Sequence, residues 1–292
     1  MSRGALITGA GGQLGRELVL TAPAGSNCTA LGRQDLDITD AVAIGRMLDA
    51  LKPQVVINAA AYTAVDRAES EPGAAEAING TAPGLLAAAC ADRGVRLLHV
   101  STDFVFDGEA SRPYAPEAAA APLGAYGRSK LAGEAAVRAA LPAALVLRTG
   151  WVYSRHGGNF VKTMLRLMGE REELTVVADQ VGTPTWARGL ALALWSFAER
   201  PALAGTYHFS DAGVASWYDF AVAISEEALA LGLLPRLPRI LPVPTAAYPT
   251  PARRPAYSVL DKGATWRDLA IDGVHWRRQL RLMLHDLKEQ GE

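Results

Sequence analysis

Residues 5–15 constrain this chain more than any other stretch. The apolar run Ala5-Leu6-Ile7-Thr8 leads into Gly9-Ala10-Gly11-Gly12-Gln13-Leu14-Gly15, where Gly9, Gly12 and Gly15 have the spacing G-x-x-G-x-x-G. A short apolar run reads as a strand buried on both faces. Glycines at these positions let the chain turn tightly, let the backbone approach a pyrophosphate and let the next helix lie close on its strand. The free N–H groups at that helix start then face the phosphates. Strand, turn and helix in this order are the context that turns a glycine spacing into a dinucleotide site, built on Gly9, Gly12, Gln13, Leu14 and Gly15.

The alternation continues. Further apolar runs at 54–58, 95–100 and 145–147 are separated by helical stretches at 15–21, 41–51, 74–93 and 125–140. This predicts an α/β fold with a doubly wound, Rossmann-like parallel sheet. After about Gly150 tryptophan and proline become more frequent. The proline-rich stretch 235–255 reads as an ordered loop, and 265–288 reads as helix with Leu269, Trp276, Leu280, Met283 and Leu287 inward. A chain of 292 residues suits one large unit or two intimately joined ones. The expected division is a dinucleotide-binding domain at 1–150, with segments near 174–200 returning to it, and a smaller, interleaved, mainly substrate-binding domain at 151–292.

Composition removes other classes. With Lys+Arg 29 against Asp+Glu 30, the formal charge of −1 offers no basic excess for a phosphate backbone, so no nucleic acid is expected. No 18-residue apolar run is present, the best being the far shorter 190–198, and the chain opens without a signal-peptide pattern. Cys28 and Cys90 read as free thiols of a reducing compartment, which places the protein in the cytoplasm.

The second strand, 28–32, ends at Arg33, where the adenosine ribose of a dinucleotide arrives. A guanidinium suits a 2′-phosphate and favours NADPH, whereas an acidic residue would bind the 2′-hydroxyl of NADH. Asp35 and Asp37 follow closely and leave NADH acceptable. Asp37 and Ile38 are placed for the adenine edge.

Tyr126-Gly127-Arg128-Ser129-Lys130 opens a helical stretch, and the i, i+4 spacing puts Tyr126 and Lys130 on one face. An ammonium beside a phenol lowers its pKa and lets it exchange a proton with a carbonyl oxygen. Ser101-Thr102-Asp103 closes the strand begun at 95, at the carboxyl end where parallel sheets bind ligands. A hydroxyl there can hydrogen-bond the reacting oxygen.

The glycine turn, the strand-end hydroxyl and the Tyr-Lys pair, in this order, resemble the short-chain dehydrogenase/reductase superfamily in its extended, nucleotide-sugar branch. The runs 58–66, 99–108, 148–153, 179–185 and 253–261 look like the dTDP-4-dehydrorhamnose reductase family, and the likeness extends from residue 5 to about 261.

The resemblance implies NAD(P)H-dependent reduction of the C4 keto group of dTDP-4-dehydro-L-rhamnose, with a dTDP-sugar as partner and a monomer or homodimer as assembly. It implies a triad of Thr102, Tyr126 and Lys130, with threonine in place of the superfamily's usual serine. Lys130 would also serve the nicotinamide ribose. Ala59, Ala60 and Ala61 would lie along the cofactor. Thr63, Val65 and Trp151 would line the sugar pocket beside Thr102 and Asp103, while Asn159, Arg253 and Arg254 would hold the nucleotide diphosphate. Some members hold magnesium between carboxylates at a dimer contact. Glu17 matches one such position, but Arg188 stands where a second carboxylate is expected, so no metal ligand set is assigned. Two alternatives stay open: a reductase of another dTDP-4-keto-deoxy sugar, and a non-catalytic subunit of the kind that partners methionine adenosyltransferase. The complete Thr102-Tyr126-Lys130 set argues against the second.

Overall fold

The computed structural model describes residues 4–291. The first half runs β1 (Gly4–Thr8), α1 (Gln13–Leu20), β2 (Asn27–Leu31), α2 (Ala41–Leu51), β3 (Val55–Asn58), α3 (Val65–Ser70), α4 (Pro72–Ala75), α5 (Ala82–Ala91), β4 (Arg96–Thr102), α6 (Ala125–Ala140) and β5 (Leu145–Thr149). Next come β6 (Val152–Tyr153), α7 (Phe160–Glu170), β7 (Glu173–Val177), β8 (Val181–Gly182), β9 (Thr185–Trp186), α8 (Ala187–Ala198) and β10 (Gly205–His208). The chain closes with β11 (Ala215–Ser216), α9 (Trp217–Ala230), β12 (Arg239–Val243), α10 (Gly263–Leu269) and α11 (Trp276–Glu289).

Six strands form one parallel sheet in the order β2-β1-β3-β4-β5-β10. The apolar runs read from the sequence are its central strands, which lie between two helical layers and therefore need no polar face. One layer buries Ile44 and Leu48 of α2, Leu86 and Cys90 of α5 and Val137 of α6. The other buries Leu14 and Leu18 of α1 and Leu190, Leu194 and Phe197 of α8. The winding reverses between β1 and β3, so a crevice opens beyond their carboxyl ends, where Thr8 is in register with Asn58. A third core joins α7, α9 and α11 around the parallel pair β7–β12.

Within the stretch 174–200, α8 packs in the same core as β1 and α1, whereas Glu173–Val177 pairs with β12 away from the central sheet.

Three local expectations are revised. The helix expected over 74–93 is interrupted by a turn of π-helix at Glu76–Thr81. Pro83 has no N–H to offer the carbonyl of Asn79 one turn back, and a wider turn accommodates its ring. The tail read as one helix is two, α10 and α11, broken where Ala270 adopts φ +54. Gly273 there lies so close to Trp266 that a Cβ would sit 2.4 Å from the ring. All five residues expected to face inward are buried. The proline-rich loop contains a strand, β12, whose Pro242 is tolerated because the pair has two edges.

The π turn meets α6 at Gly133, where an added Cβ would lie 2.0 Å from the Asn79 carbonyl oxygen. Gly133→Ala should lower stability by about 1–3 kcal/mol, the usual range for overpacking, measured as a fall in thermal midpoint. Gly73→Ala, where a Cβ meets nothing within 4 Å, should change stability by less than about 0.5 kcal/mol. Equal melting of the two variants would show that α6 and the π turn can separate without cost.

Candidate active site

The glycine turn is built as the spacing implies. Gly9 has φ +75, and a Cβ there would lie 2.6 Å from the Ala60 nitrogen. A Cβ on Gly15 would lie 2.2 Å from the Gly9 carbonyl oxygen, so turn, helix and β3 meet without room for side chains. Gly12 caps α1 with extended backbone and is less crowded, its nearest neighbour being the Gly9 oxygen at 3.3 Å. Gln13 begins the helix and Leu14 is buried. Across the crevice, Asn58 is fully buried and accepts from the Thr8 hydroxyl at 2.7 Å and from the Ala60 N–H at 3.2 Å. Its amide nitrogen lies 3.0 Å from Nδ1 of His99. This carboxamide orients the half-buried run Ala59, Ala60 and Ala61, a role that the sequence alone did not assign to it.

Arg33 is exposed just beyond β2. The two nearby carboxylates have local partners. Asp35 accepts from the Gly32 N–H at 2.8 Å. Asp37 accepts from the Thr39 hydroxyl at 2.7 Å and its N–H at 2.9 Å, contacts that hold its carboxyl below the usual range. Ile38 is buried in the α2-side core.

β4 ends at buried Thr102. The Thr102 hydroxyl caps the following 3-10 turn, Asp103–Val105, by accepting from the Phe104 N–H at 3.2 Å. It donates to Asp103 at 3.1 Å. Helix α6 presses onto this turn: a Cβ on Gly127 would lie 2.2 Å from the Phe104 carbonyl oxygen. Glu69 fixes the helix start by accepting from the Ala125 N–H at 2.7 Å. The approach brings Tyr126 beside Thr102 and edge-on to Phe104, with ring centroids 5.6 Å apart. Tyr126 as a whole is half-buried. Burial pushes the phenol up to about 12, against the opposing Thr102 hydrogen bond and with a contribution from Asp103.

One turn on, Lys130 is buried and donates to the Val100 carbonyl at 2.7 Å. Burial brings its ammonium down to about 8, with Glu134 opposing. The expected lowering of the phenol is therefore absent in this arrangement: desolvation outweighs other influences, and the ammonium is turned to a backbone carbonyl. Burial also raises Asp103 to about 6, against hydrogen bonds from Ser258 and Thr102. Its carboxylate lies against Gly150, where a Cβ would approach within 2.5 Å.

Behind these groups Glu134 has no exposed surface. It accepts from the Ser101 hydroxyl at 2.6 Å and from two nitrogens of Arg148 at 2.7 and 2.8 Å. Its position four residues after Lys130 was readable as a shared helix face, but its partners on two strands were not.

Trp151 follows Gly150 with φ +52, a conformation that costs a bulky residue about 1–3 kcal/mol. Its ring stacks on Trp217 at 3.5 Å and 2°. No motif pointed to Trp217. Val65 begins α3 and is half-buried, and Thr63 is exposed two residues earlier.

The arginine pair separates. Arg254 is held by Asp66 in a two-pronged ion pair at 3.1 and 2.8 Å, whereas Arg253 is exposed. Asn159 caps α7, accepting from the Lys162 N–H at 3.1 Å. Its amide group donates to Gln13 at 2.9 Å and to the Ser154 carbonyl at 2.6 Å, tying α7 to the glycine-turn helix.

The Glu17 position does not fit a divalent cation. The carboxylate is fully buried and accepts from the Ser154 hydroxyl at 2.8 Å and from Arg188 at 3.1 Å. The same guanidinium reaches Asp286 at 2.7 Å. Among the described residues no group of three or more His, Cys, Asp or Glu could hold a metal. The thermal midpoint should therefore be the same in EDTA and in excess magnesium. A rise with magnesium, reversed by EDTA, would show a divalent site that this ion pair has not replaced.

The sequence pattern of the family described as the RmlD substrate binding domain matches residues 3–289. The chain is 45% identical to a dTDP-4-dehydrorhamnose reductase of Burkholderia thailandensis, covering 98% of this chain and 99% of the relative. It is 42% identical to a dTDP-4-keto-6-deoxy-D-glucose reductase of Streptomyces niveus, covering 94% of each. The crystal structure of a dTDP-4-dehydrorhamnose reductase of Bacillus anthracis in complex with NADP superposes with a TM-score of 0.92 at 35% identity, covering 98% of this chain and 100% of that one.

Proposed function

This chain belongs to the RmlD substrate binding domain family, and on that premise we propose that it is an NADPH-dependent dTDP-4-dehydrorhamnose reductase. The observation that carries this reading is the meeting of Tyr126 with Thr102 at the carboxyl end of β4, with Lys130 buried one helical turn away. The reaction turns the C4 ketone of dTDP-4-dehydro-L-rhamnose into the alcohol of dTDP-L-rhamnose.

The crowded Gly9–Ala60 contact, the free N–H groups at the start of α1 and the exposed Arg33 fit a dinucleotide with a 2′-phosphate. When bound, NADPH supplies the hydride that the carbonyl carbon receives. Tyr126 gives its proton to the carbonyl oxygen. A phenol at about 12 is held in the donor form that this step requires. Thr102 orients the same oxygen, and Lys130 turns from the Val100 carbonyl to the nicotinamide ribose and the phenol. Ala59, Ala60 and Ala61 line the cofactor edge, with Asp37 and Ile38 towards the adenine. Thr63, Val65, Asp103 and Trp151 bound the sugar. Arg253 takes the diphosphate, whereas Arg254 clips the 250s loop to Asp66 and Asn159 acts through Gln13.

In this reading residues 1–150 with α8 form the cofactor unit and the remainder of 151–292 the substrate unit. The buried Glu17–Arg188 pair favours a monomer or a homodimer without bridging metal. The free thiols of Cys28 and Cys90 suit the cytoplasm. No helix among the described residues is long and apolar enough to cross a membrane. The Streptomyces niveus relative supports a second reading, reduction of another dTDP-4-keto-deoxy sugar by the same residues. A panel of such sugars, with NADPH oxidation followed optically, ranks the two by kcat/KM.

Tyr126→Phe should lower kcat by about 10²–10⁴-fold, the range for a lost general acid, with little change in the Kd for NADPH. Turnover left intact would remove Tyr126 from the proton transfer. Cofactor choice has its own test: Arg33→Ala should weaken NADPH and spare NADH. Equal losses for both cofactors would show that Arg33 does not read the 2′-phosphate.

A further inference from the structure

Trp151 is a bulky residue held in left-handed backbone, φ +52, and three separate contacts keep it there. Thr185 grips the backbone: its hydroxyl donates to the Gly150 carbonyl at 2.6 Å and its N–H to the Trp151 carbonyl at 3.1 Å. Gly182 lies against the indole, where a Cβ would come within 2.6 Å of Cε2 and Nε1. The ring of Trp217 covers the indole at 3.5 Å and 2°. The β8–β11 pairing sets the last two in place, because Gly182 is in register with Ala215 and Val181 with Ser216, immediately before Trp217. Ser216 caps α9 through a reciprocal pair of bonds with Asp219, which fixes the helix start that bears Trp217. Phe160 backs Trp217 at 4.7 Å.

Strain of this kind persists only where the surroundings over-determine it, and it gathers at functional sites. The position supports that here. Trp151 adjoins Gly150, which lies against Asp103, which follows Thr102. Both indoles keep part of their surface exposed, so the stack is more than core filling.

We propose that Trp217 is a positioning residue of the substrate site. By face-to-face stacking it holds Trp151 in its strained conformation, and so sets the wall against which the sugar of the dTDP-linked substrate lies. Trp217 acts through Trp151 and leaves the cofactor alone. The inference rests on the reductase reading above.

The two indoles stack in parallel planes at 3.5 Å, so Trp217→Phe and Trp151→Phe should each change the near-ultraviolet circular dichroism of the folded protein. Trp217→Ala should raise the KM for dTDP-4-dehydrorhamnose by about three- to tenfold, the size of an aromatic contact, with a smaller change in kcat and an unchanged Kd for NADPH. Trp217→Phe should recover most of that KM. Gly182→Ala, which drives a methyl into the indole from another side, should reproduce the rise. If Trp217→Ala fails to fold, Gly182→Ala and Trp217→Phe carry the decision: a wild-type KM in Gly182→Ala, or a KM in Trp217→Phe raised more than about tenfold, overturns the proposal. So does a folded Trp217→Ala with wild-type KM, or one that weakens NADPH as much as the sugar. Absence of wild-type turnover with any dTDP-4-keto sugar is a different failure. It removes the reductase reading and this inference with it, whereas turnover with an unmoved KM removes only the inference.

Discussion

A carboxylate with no exposed surface holds helix α6 to the sheet. Glu134 accepts from Ser101 at the end of β4, from both prongs of Arg148 on β5 and from Arg138 on its own helix. Burial, the largest single influence, raises its pKa, but Arg148, Ser101 and Arg138 together keep the carboxyl below its usual range. Removing one partner of such a pair leaves an uncompensated buried charge, at a cost of about 3–5 kcal/mol. The bonds fix the rotation and height of α6, and thereby where Tyr126 and Lys130 stand relative to Thr102.

Close backbone approach sets the remaining distances. Gly127 on the Phe104 carbonyl and Gly133 on the Asn79 carbonyl let α6 lie where a Cβ at either position would push it away. Gly9 does the same for the glycine turn against Ala59 and Ala60. These contacts have little tolerance, since atoms in packed interiors give way only at a cost. Catalysis by placement needs that rigidity, because a group misplaced by about 1 Å can lose a hundredfold in rate.

Polar contacts on one face of α1 join the glycine turn to the segments around α7 and α11. Gln13 accepts from Asn159, and Glu17, one turn on, accepts from Ser154 and Arg188. Arg188 continues to Asp286 on α11. The helix that starts at the glycine turn is thus braced against the loop before α7 and against the C-terminal helix. Arg188 thus joins Glu17 to Asp286 within one chain.

The amino-acid sequence was sufficient for a doubly wound parallel sheet, the glycine turn and the helix face that Tyr126 and Lys130 share. These are local patterns: buried strands need apolar runs, tight turns need glycine, and one helix face needs i, i+4 spacing. It also placed α2 and α6 at their observed bounds. Only the tertiary structure decided which arginine of the pair is exposed, because Asp66, far away in the chain, takes Arg254. The same holds for Glu134, which finds Arg148 and Ser101 on separate strands, and for Trp217, which meets Trp151 through a two-residue strand pairing too short to leave a periodic signal. The ionisation of the phenol in this arrangement likewise follows from the tertiary structure. Spacing along a helix shows that Lys130 can reach Tyr126, but the sheet decides that its ammonium turns to Val100 and that burial governs the phenol. Contacts between residues distant in sequence depend on the summed geometry of every element between them, and no short window of residues contains that sum.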